Sequence, residues 1–265
     1  MTHFIKETFT EYHAQRPNNL SSHQLADFRI CPVLYRRKQL GLIPDKDSAV
    51  FTVGRATHTL ILEGRKAFNE EYEVGGPINP KTEKPYGVGT KAFLAYQEDC
   101  GKTILSHEQH TLIESMLYSV QHHALAQHLL DEGQPEAVVR RKYCGLPCQI
   151  RIDWFNPIRG IVDLKTCDDL DRFEYDARRF RYIHQMAFYQ SVNDIPGEAE
   201  HLAPVHIIAV EKREPFRCGV WRLGEDVLEL ARSDNVVSIS QLKECSTTNN
   251  WTTGYEDLRM LDHLA

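Results

Sequence analysis

Between residues 137 and 166 the chain carries three apolar, β-branched runs at hairpin spacing. "AVVRRKYCGLPCQIRIDWF" (137–155) reads as two strands around a Gly-Leu-Pro turn, and "GIVDLKT" (160–166) as a third. Val and Ile at alternating positions favour a pleated, half-buried surface. A meander of this kind narrows the fold more than any other segment, because its flanks are helical in pattern. Ser21 with Gln24 forms a capping box that opens a helix within 19–41. Residues 51–68 carry Ala56, Leu60 and Ile61 on one side, and 88–100, 107–131, 173–192 and 225–244 also read as helices. Further strands are expected at 204–212 and 216–223, and 74–87 reads as a loop rich in Gly and Pro. The order helices, three strands, helix, two strands, helix predicts an α/β layer fold with a mixed central β-sheet flanked by helices. At 265 residues and 42% hydrophobic, the chain has enough apolar mass for one domain with a sizeable core.

Several classes are excluded. "MTHFIKETFTEYHAQ" has neither a basic nor an apolar leader region, which predicts no signal peptide and a cytoplasmic protein. No apolar run approaches the ~18 residues of a membrane span. Seven scattered cysteines argue against a disulfide scaffold. Cys144 and Cys148 read as two thiols on a hairpin, since a metal cluster would need two more cysteines nearby. A net charge of −6 rules out grip on nucleic acid by global attraction. Charge is clustered, however, with basic knots at 35–38, 140–142 and 178–181.

The third strand ends in Asp163-Leu164-Lys165. In a strand, residues two apart share a face, so Asp163 and Lys165 project together while Leu164 points into the opposite layer. Such a pair is either a solvated ion pair or half of a metal site. On the preceding strand Gln149, Arg151 and Asp153 alternate onto one face. If the two strands are antiparallel neighbours, Asp153, Asp163 and Lys165 converge, with Glu136 opening the first strand of the same meander. Three carboxylates around one point repel each other unless a cation lies between them. Hard oxygen ligands suit Mg²⁺, with Mn²⁺ as a substitute. The lysine can then hold the attacking water or stabilise developing phosphate charge.

Asp153 followed by "DLK" ten residues on resembles the core of the PD-(D/E)XK nucleases. "GRATHTLILE" (54–63) resembles the G-x-x-x-H helix of their RecB-like branch, with His58 at the metal-binding histidine. "QMAFY" (185–189) matches the Gln-x-x-x-Tyr motif, with Gln185 and Tyr189 on one helix face. "SSHQLADFRICPVLY" (21–35) resembles the opening helix of that branch. "RID", "DLKTC" and "RYIHQMAFY" are similar in order to the catalytic domain of RecE-type exodeoxyribonucleases (exonuclease VIII). The chain departs from that family in carrying His23 where a Ser precedes Gln-Leu.

The resemblance implies a single nuclease domain over 1–265. Residues 1–135 would form a mainly helical part with the metal-binding histidine, 136–223 the catalytic sheet and Gln-x-x-x-Tyr helix, and 224–265 a C-terminal helical part. It implies Mg²⁺ held by His58, Glu136, Asp153, Asp163 and the Leu164 carbonyl, with Lys165, Gln185 and Tyr189 completing the catalytic set. DNA contacts are expected from Ser21, Ser22, Arg151, Arg178, Arg179, Arg181 and Tyr182, although the three arginines near 180 cannot all face DNA from one helix. The implied activity is digestion of linear duplex DNA from the 5′ end to leave 3′ tails. The implied partners are further copies in a ring-shaped trimer or tetramer and a RecT-type single-strand annealing protein. Two other readings stand beside this one. The first is an inactive DNA-end-binding or scaffold protein of the same fold. The second is a zinc hydrolase using the His-rich segment 107–128, where His107 and His110 are spaced by three and do not form H-E-x-x-H.

Overall fold

The computed structural model describes residues 4–44, 49–194 and 202–260, without the side chains of 49–51. Residues 1–3 of the N-terminal stretch and 261–265 of the expected C-terminal helical part therefore lie outside the described residues. In chain order the elements are α1 (Phe9–Ala14), α2 (Ser22–Ile30), α3 (Pro32–Gln39), α4 (Ala49–His58), α5 (Gly64–Glu71), β1 (Tyr72–Val74), α6 (Lys91–Cys100), β2 (Thr103–Leu105), α7 (His107–Gln121) and α8 (Ala124–Leu129). There follow β3 (Gln134–Tyr143), β4 (Leu146–Asn156), β5 (Gly160–Cys167), α9 (Phe173–Arg179), α10 (Tyr182–Asn193), β6 (Val205–Glu211), β7 (Cys218–Arg222) and α11 (Glu225–Thr248).

Strands β3 to β7 form one sheet in sequence order. All pairings in it are antiparallel except β5 with β6, which run parallel across the α9–α10 crossover. Alternation along β5 sorts the two layers. Ile161 and Cys167 join a core with Met186 and Phe188 of α10, Ile239 of α11 and Leu25 of α2. Val162 and Leu164 join a second core with Ala56 of α4 and Ile113 and Met116 of α7. The sheet is thus a filling between two helical layers, as the strand order requires. β1 and β2 make a small separate parallel pair that the sequence pattern did not indicate.

Several expected elements are cut differently. The first hairpin turns at Cys144 and Gly145, both at positive φ (50° and 82°), so the loop has two residues and Leu146-Pro147 already belong to β4. The helix expected at 173–192 breaks at Arg181, which takes the left-handed conformation, so α9 and α10 are separate helices. The helix expected at 107–131 breaks at His122, and His123 caps the start of α8 through its side chain. The helix expected at 51–68 passes through a π-helical turn, Thr59–Glu63, immediately after His58. Insertions of this type shift the helix face by a residue and are frequent at functional sites. The C-terminal helical part stops at Thr248, where Asn249 adopts the left-handed conformation, and 249–260 is irregular.

Gly160 is required by two separate constraints. Its φ of +85° favours glycine, and a Cβ there would sit 2.0 Å from the Pro204 carbonyl oxygen. That carbonyl accepts a hydrogen bond from the Ile161 amide at 2.8 Å and seats the start of β6 beside β5. Gly160→Ala should therefore lower unfolding stability by at least about 2 kcal/mol, from left-handed strain plus a backbone clash. Urea denaturation checks this, and a loss below about 0.5 kcal/mol would contradict the close approach.

Candidate active site

The β4–β5 ladder is short. It pairs Asn156 with Gly160, Phe155 with Ile161 and Trp154 with Val162, and ends there. Past Trp154 the strands separate, and Leu20 enters the gap, donating to the Pro147 carbonyl and accepting from the Gln149 amide at 2.9 Å each. At the point of separation Asp153 replaces the missing backbone partner, since its Oδ2 accepts from the Leu164 amide at 2.8 Å. A buried amide without a partner would cost free energy, so the carboxylate is bound into the break. On the other side of β4, the β3 register skips Glu136, which lies at φ +52° between paired Pro135 and Ala137. A left-handed carboxylic residue inside a strand is a strained position of the kind found at functional sites.

These two irregularities bring side chains from three elements together. One ligand atom each of His58, Glu136 and Asp153 lies within 4.8 Å of the others. His58, the last residue of α4, sits with Nδ1 3.5 Å from Asp153 Oδ2, and its ring faces the Leu164 carbonyl. Asp163 falls outside that triplet but adjoins it. Its side chain is 2% exposed and its Oδ2 lies 2.7 Å from Lys165 Nζ. That contact is a buried ion pair, which holds the lysine against the carboxylate. Lys165 also donates to Gln185 Oε1 at 3.3 Å, and Gln185 Nε2 donates to the Tyr189 hydroxyl at 3.2 Å. The Lys165 ammonium stands 4.7 Å from the centre of the Tyr182 ring, a favourable cation–π position.

The electrostatics are those of acids crowded out of water. Burial, reinforced by Asp153, pushes the Glu136 carboxyl up to about 8. Burial also raises Asp163 to about 6 against the pull of Lys165, and it raises Asp153. Burial and the Lys165 charge hold His58 neutral, its pKa lowered to about 4. Burial works to lower the Lys165 ammonium, yet Asp163 and Asp153 outweigh it and hold it above the ordinary lysine value. A neutral imidazole and clustered, buried carboxyls fit a divalent cation. His58, Glu136 and Asp153 would hold it, with Asp163 and the Leu164 carbonyl adjacent.

A cleft of about 300 Å³ opens beside Lys165, lined among others by Ser22, Arg29, Arg181, Tyr182 and His184. The expected DNA-contact residues divide. Ser22, Arg181 and Tyr182 reach this cleft. Ser21 spends its hydroxyl on the capping box with Gln24. Arg178 and Arg179 are exposed on α9, with Arg179 over the Phe180 ring. Arg151 turns inward, with Nε 2.6 Å from Glu136 Oε2. Arg29 was not anticipated. Its Nε donates to Ser238 Oγ at 2.9 Å and its guanidinium to Asn235, which fixes it at the cleft wall. Its signal was the i, i+4, i+7 series Ser22, Ala26, Arg29 on one helix face. A larger hollow of about 540 Å³, between Leu60, Leu117 and Leu130, holds none of the site carboxylates.

The zinc reading of 107–128 is not supported by geometry. His110 pairs with Glu114 at 3.0 Å, His122 stacks on Tyr118, and His123 caps α8. Among the described residues, the His58, Glu136 and Asp153 group is the one set of three such donors close enough for an ion.

Residues 21–263 match a PDDEXK-like domain of unknown function, DUF3799. The chain belongs to this family. A solved structure agrees with the DUF3799 assignment at the level of fold: a candidate exonuclease from Eubacterium rectale superposes with a TM-score of 0.70 at 15% identity, covering 98% of this chain and 96% of that one. An alkaline exonuclease from Laribacter hongkongensis aligns over 91% of this chain and 96% of its own, at 10% identity and a TM-score of 0.35, too low to support a shared fold. No curated protein matches the sequence. The architecture of this DUF3799 chain is that of the PD-(D/E)XK nucleases.

The crowded carboxyls have a measurable consequence. Glu136 titrates near 8 when folded and at 4.5 ordinarily, so the folded state holds an extra proton between those values and loses stability as pH rises through them. His58 acts oppositely but only between about 4 and 6.5. Between pH 6.5 and 8 the Glu136 effect stands without that opposition. In EDTA, unfolding free energy should fall across that window by on the order of 1 kcal/mol, and Glu136→Gln should flatten the fall. Denaturation series at both pH values check this; an identical slope in the variant would show that Glu136 is not the crowded group.

Proposed function

We propose that this DUF3799 chain is a divalent-metal-dependent exonuclease acting on linear double-stranded DNA. The reading includes Mg²⁺ as the metal, with Mn²⁺ able to replace it, and 5′ to 3′ digestion that leaves 3′ single-stranded tails. It places the activity in recombination by strand annealing beside a RecT-type protein, with copies of the chain closed into a trimeric or tetrameric ring. The observation that carries it is the convergence, at one break in the sheet, of His58, Glu136 and Asp153 with the Asp163–Lys165 pair. The exonuclease named in the fold relative from Eubacterium rectale supports the same class.

A bound divalent cation supplies Lewis-acid polarisation of a phosphate oxygen and a more acidic water. The chain's own groups do the rest. Asp153 and Glu136 arrive on separate strands and define the site, while neutral His58 offers a nitrogen without adding charge. Lys165 extends from the same strand face as Asp163, where its ammonium can hold a water or meet charge developing on the phosphate. Gln185 keeps the lysine from folding away, and Tyr189 holds the glutamine in turn. Arg29 and Arg181 line the adjoining cleft. They offer charge to a phosphodiester backbone and do not read bases, so cleavage should be largely independent of sequence. With a net charge of −6, grip depends on this local basic lining and on enclosure.

The direct test is digestion of end-labelled linear duplex against covalently closed circles, with and without Mg²⁺. Linear DNA should be consumed from its ends in Mg²⁺ and circles spared. Lys165→Ala should reduce the rate by about 10³-fold or more while DNA binding and folding persist, because the lysine acts chiefly on the transition state. Wild-type protein that binds ends yet never cuts in Mg²⁺ or Mn²⁺ would favour the scaffold reading. Equal attack on circles would remove the exonuclease and ring assignments.

A further inference from the structure

Residues 4–20 precede the stretch that matches the family, yet they reach the candidate metal site. The segment is docked on the β3–β4 hairpin at successive points. Phe4 packs on Phe155 with ring centres 4.9 Å apart, and the Ile5 amide donates to the Val138 carbonyl at 2.9 Å. Glu7 pairs with Arg140, whose Nη1 donates at 3.0 Å. Tyr12 is buried, its carbonyl accepting from Gln149 Nε2 at 3.3 Å. Between these anchors a capping box, Thr8 with Glu11, starts α1 and sets Phe9 at its first position.

Phe9 is 44% exposed and lies in none of the core clusters. Its ring meets His13 edge to face, centres 3.9 Å apart, and lies under the Arg151 guanidinium, 5.3 Å from the ring centre. Arg151 in turn places Nε 2.6 Å from Glu136 Oε2, with its own side chain 15% exposed. The series runs from an N-terminal helix through an aromatic face and a guanidinium to a carboxylate of the metal triplet. Glu136 needs such support more than its partners do. Asp153 is tied to the Leu164 amide and His58 faces the Leu164 carbonyl, whereas Glu136 sits at an unpaired position of the β3–β4 ladder at positive φ.

We propose that Arg151 is a positioning residue for the metal site and that Phe9 holds it in place, which makes the N-terminal segment a working part of the site. This assigns Arg151 to the ligand Glu136 and not to the DNA backbone. The inference rests on the proposed metal-dependent function. Two effects of Arg151 oppose each other, because its charge repels a cation while its contact orients a ligand. Orientation dominates, since a site ligand must be held to within about 0.5 Å, and partners that hold ligands commonly change metal affinity by about 10- to 100-fold.

The test is calorimetric titration of Mn²⁺ into DNA-free, full-length protein: wild type, Arg151→Met, Phe9→Leu and Phe9→Tyr. Arg151→Met should weaken Mn²⁺ binding about tenfold or more. Phe9→Leu keeps apolar bulk but removes the ring face, and should weaken binding about threefold, while Phe9→Tyr restores it. A merely structural role would make tyrosine and leucine equivalent. In digestion assays kcat should fall at low Mn²⁺ and recover at high Mn²⁺, with the KM for DNA unchanged. Unchanged or tighter Mn²⁺ binding in Arg151→Met would overturn the inference, as would a raised KM for DNA with normal metal affinity. Phe9→Leu equal to wild type would overturn the part assigned to Phe9. Failure of the wild type itself to bind Mn²⁺ would remove the metal site, and with it both the proposed function and this inference.

Discussion

Where two antiparallel strands separate, the backbone groups between them lose their partners, and each must find another or be exposed to water. In this chain the separation falls after Trp154 and Val162, and Asp153 and Leu20 close it from opposite sides. The consequences extend through the site. Asp153 cannot leave without stranding the Leu164 amide. Asp163 and Lys165, on the face of β5 turned toward α10, have no ladder partner on the β4 side, and Lys165 lines the cleft with Asp163 buried beside it. α2 begins at Ser22, two residues after Leu20 and capped by Ser21, and its Ser22 and Arg29 reach the cleft wall. The geometry of the candidate site is in this sense a product of one interrupted ladder.

The same break gathers charge that the fold must tolerate. Lys165 lies against Asp163 and Arg151 against Glu136, so two cations oppose three carboxyls in a buried space. Removing either cation would leave a buried acid without its counter-charge, which is more damaging than the absence of the pair as a whole. The residual imbalance appears as carboxyl groups held toward their protonated forms, and a bound divalent ion would relieve it. On the proposed function, stability and activity would be coupled, because a bound cation would remove a cost that the metal-free site carries.

The sheet was legible because strands announce themselves through alternation. Val138, Ile150, Ile152, Ile161 and Val162 are β-branched and buried, and their runs mark β3, β4 and β5. The Asp163–Lys165 pairing follows from the two-residue period of a strand and needs no tertiary information. What escaped was geometry set by single backbone conformations. Arg181 in the left-handed region divides one expected helix into two, and nothing in its neighbours marks it as a breaker. The π-helical turn after His58 has an ordinary helical composition, "TLILE", so nothing in its residues marks it. Arg151 was assigned to DNA, on the strand face that alternation gives it with Asp153. The displaced backbone at Glu136 brings a carboxylate within its reach instead. Arg29 was missed because an arginine on a helix otherwise reads as solvated, and its partners Asn235 and Ser238 lie on α11, more than two hundred residues away.

The central claim is that the strand break creates a divalent-cation site, and crystals soaked in Mn²⁺ test it most directly. Anomalous scattering measured near the manganese edge should give a peak between His58, Glu136 and Asp153, at about 2.0–2.4 Å from their ligand atoms. Absence of that peak in crystals of folded protein, or a peak only among the histidines of 107–128, would contradict the account.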